Sequence, residues 1–194
     1  MVSPAPSVPK DFAQLTLAQA AELLAARKLP PVEQWQPERS GDSAMEIRAD
    51  GSWYHEGGRI NRPAMVRLFS TILRREPDGS HVLVTPAEKL AIAVEDTPFR
   101  AVEMKSEGEG ADRRLIFRLD TDDLVIAGAD NPLSFGDDPD NPDPRVHVRG
   151  LVGNGLEARI DRALYYELVE MALAEGGDPP AIWSGGVRFP LVGR

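Results

Sequence analysis

The chain reads as an α+β protein made of two related small domains that arose by internal duplication, with mainly antiparallel sheets and one packed helix in each. Three observations predict this. Short runs of alternating apolar residues bounded by glycine turns outnumber helical stretches. The block Arg59-Ile60-Asn61-Arg62 returns one hundred residues later as Arg159-Ile160-Asp161-Arg162, and Leu68 returns as Leu168. Each copy runs into an amphipathic helix and then a strand-like segment, Val82 to Val84 or Ala181 to Trp183, so residues 59–84 and 159–184 are expected to superpose as strand-helix-strand units. The division that follows is an N-terminal helix and extended arm over 1–43, a first repeat domain over 44–96 and a second over 97–194.

Thr16 and Gln19 form a capping box, and Leu17, Ala20, Ala21 and Leu24 recur at helical spacing until Pro30 and Pro31 end the helix. Trp35 then anchors an extended arm. Met45, Ile47 and Ala49 alternate with Glu46, Arg48 and Asp50 ahead of an Asp50-Gly51 turn, and Trp53 and Tyr54 begin the return strand. Asn61 is placed to cap a helix whose apolar face is Val66, Phe69, Ile72 and Leu73. Strands follow at Val82 to Val84 and Leu90 to Val94. In the second half, Phe99 to Lys105 and Arg113 to Leu119 read as an antiparallel pair joined through Gly108-Glu109-Gly110. Asp161 caps a helix that buries Tyr165, Leu168, Val169 and Ala172.

The net charge of -9 comes from 22 basic and 31 acidic residues, and eight of the aspartates lie between Asp120 and Asp143 with no lysine or arginine among them. The rest of the chain therefore carries only -1, too little positive charge to hold a nucleic-acid backbone. Residues 136 to 144, with three prolines, read as an irregular loop without the glycine and distal glutamate of an EF-hand. There is no cysteine, which excludes disulfides, thiolate metal sites and thiol chemistry. No apolar run reaches the roughly 18 residues of a membrane span. Met1 to Pro9 has no basic residue of a targeting signal, so a cytoplasmic protein is expected.

His55, His81 and His147 are isolated on different strands, Ser184 lacks the glycine that precedes the serine of a nucleophile elbow, and Glu95 and Asp96 point to opposite faces. Gly150, Gly153 and Gly155 follow neither a dinucleotide nor a Walker pattern, although backbone N–H groups there could meet an anion beside Arg149 or Arg159.

Pro30-Pro31-Val32-Glu33, Asp50-Gly51-Ser52-Trp53, Leu83-Val84-Thr85-Pro86-Ala87-Glu88-Lys89, Val94-Glu95-Asp96-Thr97-Pro98-Phe99 and Trp183-Ser184-Gly185-Gly186 with Phe189-Pro190-Leu191 together resemble the bacterial domain of unknown function 1285. The likeness runs from about Leu29 to Leu191. It implies a duplicated α+β fold, a C-terminal half superficially like pleckstrin-homology domains, and a ligand site between the halves for a nucleotide-like molecule in signalling. It implies no established activity and no particular cofactor.

The expectation for function is thus a non-enzymatic ligand-binding or regulatory protein, with an anionic small molecule held where the domains meet. Trp53, His55, Arg59, Arg62, Lys89, His147, Arg149, Arg159 and Trp183 are the candidate ligand-binding residues. The alternatives are an enzyme that uses Glu95 or Asp96 with a histidine, and an adaptor that binds a protein through a sheet edge.

Overall fold

The computed structural model describes residues 12–138 and 140–191. The N-terminal segment read for targeting signals, and Pro139 of the acidic loop, lie outside the described residues. Helix α1 (Leu17–Ala26) opens with the expected capping box: Gln19 N–H donates to Thr16 Oγ1 at 3.2 Å and Thr16 N–H donates to Gln19 Oε1 at 2.8 Å. Its apolar side joins Phe12, Leu15 and Ala20 to Ile116 and Leu124, so the helix packs on the second domain rather than on the arm. The arm itself contains a short 3-10 turn over Val32–Gln34. Trp35 packs there with Val32, Val82 and Val84.

The first sheet contains β1 (Arg39–Ile47), β2 (Trp53–His55), β3 (Gly58–Arg59), β4 (Leu73–Arg75), β5 (His81–Val84) and β6 (Glu88–Val94), with α2 (Pro63–Thr71) between β3 and β4. Its order is β3-β2-β1-β6-β5-β4, and the central pair β1 and β6 is parallel. Strand β1 begins at Arg39, inside the segment read as an arm. Ile47 and Trp53 are buried because alternate residues of the β1–β2 hairpin face the core, while Glu46 and Tyr54 face outward.

The second sheet contains β7 (Phe99–Glu107), β8 (Arg114–Leu119), β9 (Leu124–Ile126), β10 (Leu133–Ser134), β11 (Arg145–Arg149) and β12 (Leu156–Ile160). Its order is β10-β11-β12-β7-β8-β9, again with a parallel pair, β12 and β7, at the centre. Helix α3 (Arg162–Glu175) follows β12, and the hairpin β13 (Ala181–Ser184) and β14 (Val187–Pro190) forms a sheet of its own. The buried Ser184 hydroxyl donates to Ala127 O at 2.7 Å and accepts from Leu115 N–H at 2.9 Å, which fixes this hairpin to the second sheet and leaves Ser184 a structural residue. One apolar core runs through both sheets, from Ile47, Trp53 and Leu73 to Phe99, Phe117, Ile160 and Leu168.

The fold is duplicated, but not in the register expected from the repeated block. In each sheet three strands step outward from the centre and three step back in, so β1–β6 correspond to β7–β12. The helix follows the third strand in the first domain and the sixth in the second. Arg59 thus ends an edge strand and Arg159 lies in a central one, while residues 181–184 belong to the separate hairpin. The shared block marks two strand-to-helix exits, which need the same kind of residues at non-equivalent places. Capping also differs from expectation. Arg62, not Asn61, is the N-cap of α2, and Leu73 lies in β4 beyond the helix end. Asp161 is the N-cap of α3, but its carboxylate accepts from Arg100 instead of from the helix.

The turn between β1 and β2 fixes how the domains meet. Gly51 has φ of +82°, and a Cβ there would lie 2.5 Å from Asp120 Oδ2 and 3.2 Å from Arg100 Cδ. Arg100 Nη1 also donates to Asp50 O at 2.9 Å. Only glycine allows both the left-handed conformation and this approach. Replacing Gly51 with alanine is expected to lower unfolding stability by about 1–3 kcal/mol, read by chemical denaturation, because the strain and the clash act together.

Candidate functional site

Clefts open along the contact between the two sheets, and the Asp50-Gly51 turn separates two of them. Of three among the described residues, the largest, about 720 Å³, lies between that turn and the start of α3, with Arg100, Arg159, Arg162, Tyr165, Tyr166 and the acidic-loop residue Asp140 on its walls. A second, about 330 Å³, lies between β4 and the 150–155 loop and is lined by Arg75, Glu76, Arg149 and Asn154. A third, about 250 Å³, is lined by Trp53, Arg59, Asn61, Arg67, Asp120 and Thr121.

The nine expected ligand-binding residues do not converge in any one of these. Arg59 and the buried Trp53 line the third cleft, whereas Arg62 is exposed and is not among the residues lining it, and His55 is exposed at the end of β2. Lys89 Nζ pairs with Glu76 at 3.0 Å. His147 is buried, its Nε2 set 3.2 Å from Gly150 O. Trp183 lies on β13, opposite Arg188. Arg159 lines the largest cleft but is bound to Asp96 at 2.5 Å and Asp143 at 2.9 Å.

Arg149 lines the second cleft, yet its guanidinium donates to the carbonyls of Ser70, in the last turn of α2, and Leu73, at the start of β4, and lies 5.5 Å from the Phe99 ring centre. There it adds a charged donor to the Ser70 carbonyl, which also accepts from Ile72 N–H, and opposes the negative end of the helix dipole. Burial pushes it down to about 10, so it stays charged at neutral pH. The residues proposed for acid-base chemistry are committed elsewhere too. Glu95 accepts from Ala49 N–H at 2.9 Å, Asp96 joins Arg145 and Arg159, and among the described residues neither bonds a histidine.

In the largest cleft the first N–H groups of α3 have no side-chain cap. Arg162, at the first position of that helix, makes no ion pair among the described residues; its Nε donates to the Tyr166 hydroxyl at 2.8 Å and the guanidinium lies over the Tyr166 ring. Open N–H groups, a cation and an exposed tyrosine are thus directed at one place, a combination that suits an anion carrying a planar group. Of the cleft residues the sequence places only Arg159 among the ligand-binding candidates; Tyr165 is expected on the buried face of the helix, Arg162 enters only through the repeated block, and Tyr166 is not singled out. The spacing of four residues between Arg162 and Tyr166 in the first turns of a helix is the signal that could have found them.

Two family models match consecutive parts of the chain: the N-terminal domain of DUF1285, a domain of unknown function, over residues 30–97, and the C-terminal domain of DUF1285 over residues 98–191. The chain belongs to the DUF1285 family. The crystal structure of a DUF1285 family protein from Silicibacter pomeroyi DSS-3 is 44% identical, with a TM-score of 0.77 over 86% of this chain and 88% of that one. A DUF1285 family protein from Shewanella baltica OS155, 22% identical, shares the fold with a TM-score of 0.50 over 66% of this chain and 92% of that one. No curated protein matches the chain. Among the described residues of this DUF1285 chain, no helix is long and apolar enough to cross a membrane, and no group of histidines and carboxylates is gathered as a metal site.

Two measurements test these assignments. Replacing Arg149 with alanine strips the end of α2 of its donor and is expected to cost about 1–3 kcal/mol of stability, with lysine in its place recovering only part. His81 faces Arg75 across the β4–β5 pair, and burial, then that positive charge, push its imidazole down to about 4. Its folded pKa lies below the unfolded value, so the unfolded chain takes up the extra proton and stability falls as pH drops from about 6.5 to 4. His81→Gln should flatten this part of the stability-pH curve, by on the order of 1–2 kcal/mol once partial exposure is allowed for.

Proposed function

We propose that this protein is a ligand-binding, regulatory protein that takes a small anionic, nucleotide-like molecule in the 720 Å³ cleft between its domains. The observation that carries the reading is the uncapped start of α3, with Arg162 and Tyr166 opening into that cleft. Its volume falls within the range of small-molecule sites, and such sites favour domain boundaries. A phosphate on the α3 N–H groups beside Arg162 leaves a planar base within reach of the tyrosine ring. The cleft is not uniformly cationic, because Arg100 and Arg159 already hold Asp161, Asp96 and Asp143. Recognition is therefore assigned to Arg162 and the helix start, in place of the wider set of basic residues expected from the sequence.

A ligand that binds only the folded protein raises its melting temperature with concentration. Nucleoside mono- and diphosphates are expected to do so with the unaltered protein, and Arg162→Ala is expected to weaken the effect roughly tenfold or more in concentration, consistent with loss of one charge-assisted contact. A panel in which no nucleotide shifts the melting temperature rejects the reading. The adaptor alternative is favoured by one observation, the exposed apolar tip Leu151 and Val152 of the 150–155 loop, which are 75% and 52% exposed.

A further inference from the structure

On the other side of the Asp50-Gly51 turn, we propose that the 250 Å³ cleft is a separate site for a phosphoryl-sized oxyanion. The inference starts from the arginines. Among the described residues every other arginine side chain donates a hydrogen bond or joins an ion pair, most of them to carboxylates; Arg59 and Arg62 alone do neither. Arg59 lines the cleft, and Arg62 is the residue just before Pro63, which also lines it. In a chain of net charge -9, an uncommitted guanidinium on the wall of the cavity, with a second on the exposed residue between the lining residues Asn61 and Pro63, concentrates positive potential where the overall field is negative.

Two further features belong to the same cavity. The nine-residue helix α2 begins at Pro63 on its wall, and its N-cap Arg62 makes no side-chain cap. The positive end of a helix dipole therefore stands there without a side-chain acceptor. Opposite it, Thr121 lines the cleft from the second domain. This residue is 2% exposed, and its hydroxyl is a buried polar group with no hydrogen-bond partner in the structure. A buried hydroxyl without a partner costs free energy that a bound acceptor oxygen would recover. The volume is too small for a nucleotide and enough for a tetrahedral oxyanion.

Asp120 is the one acidic residue on the cleft wall. Its Oδ1 accepts from Arg100 N–H at 3.2 Å, and burial pushes its carboxyl up to about 6, although the residue keeps an exposed edge. When ionised it opposes an anion, so the site is tuned to be weaker than its cations alone would make it. The α3 cleft is separate, and the one of its three arginines that makes no ion pair is Arg162.

Titration calorimetry with inorganic phosphate on the whole protein tests the assignment. Saturable binding is expected in the millimolar range or tighter. Arg59→Ala together with Arg62→Ala should abolish it. Thr121→Val keeps the shape and removes the hydroxyl, and should weaken binding roughly tenfold while leaving the melting temperature without phosphate unchanged or higher. Asp120→Asn should tighten binding severalfold. Arg162→Ala, which tests the nucleotide cleft, should leave phosphate binding intact, so the two readings can fail independently. Methyl phosphate in place of phosphate distinguishes the phosphoryl group of a larger molecule, bound about equally well, from the free ion, bound much better; either keeps the oxyanion site. Absence of saturable phosphate binding, binding unaffected by the arginine pair, or loss of binding in Arg162→Ala overturns the proposal.

Discussion

At the centre of each sheet the first and last strands run side by side in the same direction, and this pairing decides where everything else meets. Because β1 and β6 are parallel, their C-terminal ends leave the first sheet at the same edge, held by the Glu95 N–H donating to Ile47 O at 2.9 Å. Because β12 pairs with the beginning of β7, the entry to the second sheet and the exit into α3 are likewise neighbours, with Ile160 opposite Ala101. The linker between domains is only a few residues long, from the end of β6 at Val94 to the start of β7 at Phe99. It therefore brings these two junctions together. The β1–β2 turn, the linker, the start of α3 and the end of β12 all arrive at one seam, which is why the 720 Å³ cleft forms there.

A carboxylate-arginine cluster secures this seam. Asp96 in the linker accepts from Arg145 at 3.0 Å and from Arg159 at 2.5 Å, and Asp143 at the end of the acidic loop binds the same two arginines at 2.8 and 2.9 Å. Thr97 Oγ1 adds a bond to Phe99 O at 2.9 Å and accepts from Arg159 N–H at 3.2 Å. A single surface ion pair is worth little, but these share partners and are half-buried, so each side chain is held by more than one bond. The acidic loop is thus irregular without being loose at its C-terminal end. Asp143 works as part of the seam, and Asp140 and Asn141 form the exposed rim of the cleft.

Much of the architecture could be read from local patterns, because capping boxes, alternating strands and glycine turns are determined by near neighbours. The α1 capping box, the β1–β2 hairpin and the β7–β8 hairpin all follow from such signals. Strand order is not local, and a match of four residues cannot distinguish a repeated domain from a repeated kind of exit, since Arg59 and Arg159 answer the same local need on unlike strands. The candidate site was less legible for the same reason. Basic residues can be counted in a sequence, but whether a guanidinium is free depends on which carbonyl or carboxylate comes near it in three dimensions. Arg149 meets Ser70 and Leu73, Lys89 meets Glu76, and Arg159 meets Asp96, none of them close in the chain.

That dependence also explains why an acidic protein can present cationic sites. When acidic residues are in excess, most arginines are neutralised by the nearest carboxylate, and their contribution to the external field is small. An arginine stays available only where the neighbouring carboxylates are bonded to other groups. Arg162 is held over Tyr166 at the first position of α3, while the N-cap Asp161 is drawn off by Arg100. Asp50 feels the charge of Arg59 but makes no ion pair with it, because it is folded back onto Ser52, its Oδ1 accepting from the Ser52 N–H at 2.9 Å and from the Ser52 hydroxyl. Arg100 offsets the charge of Asp161, whereas the Ser52 bonds leave Asp50 ionised but occupy its Oδ1, so the available positive charge stands on opposite sides of the glycine turn that joins the domains.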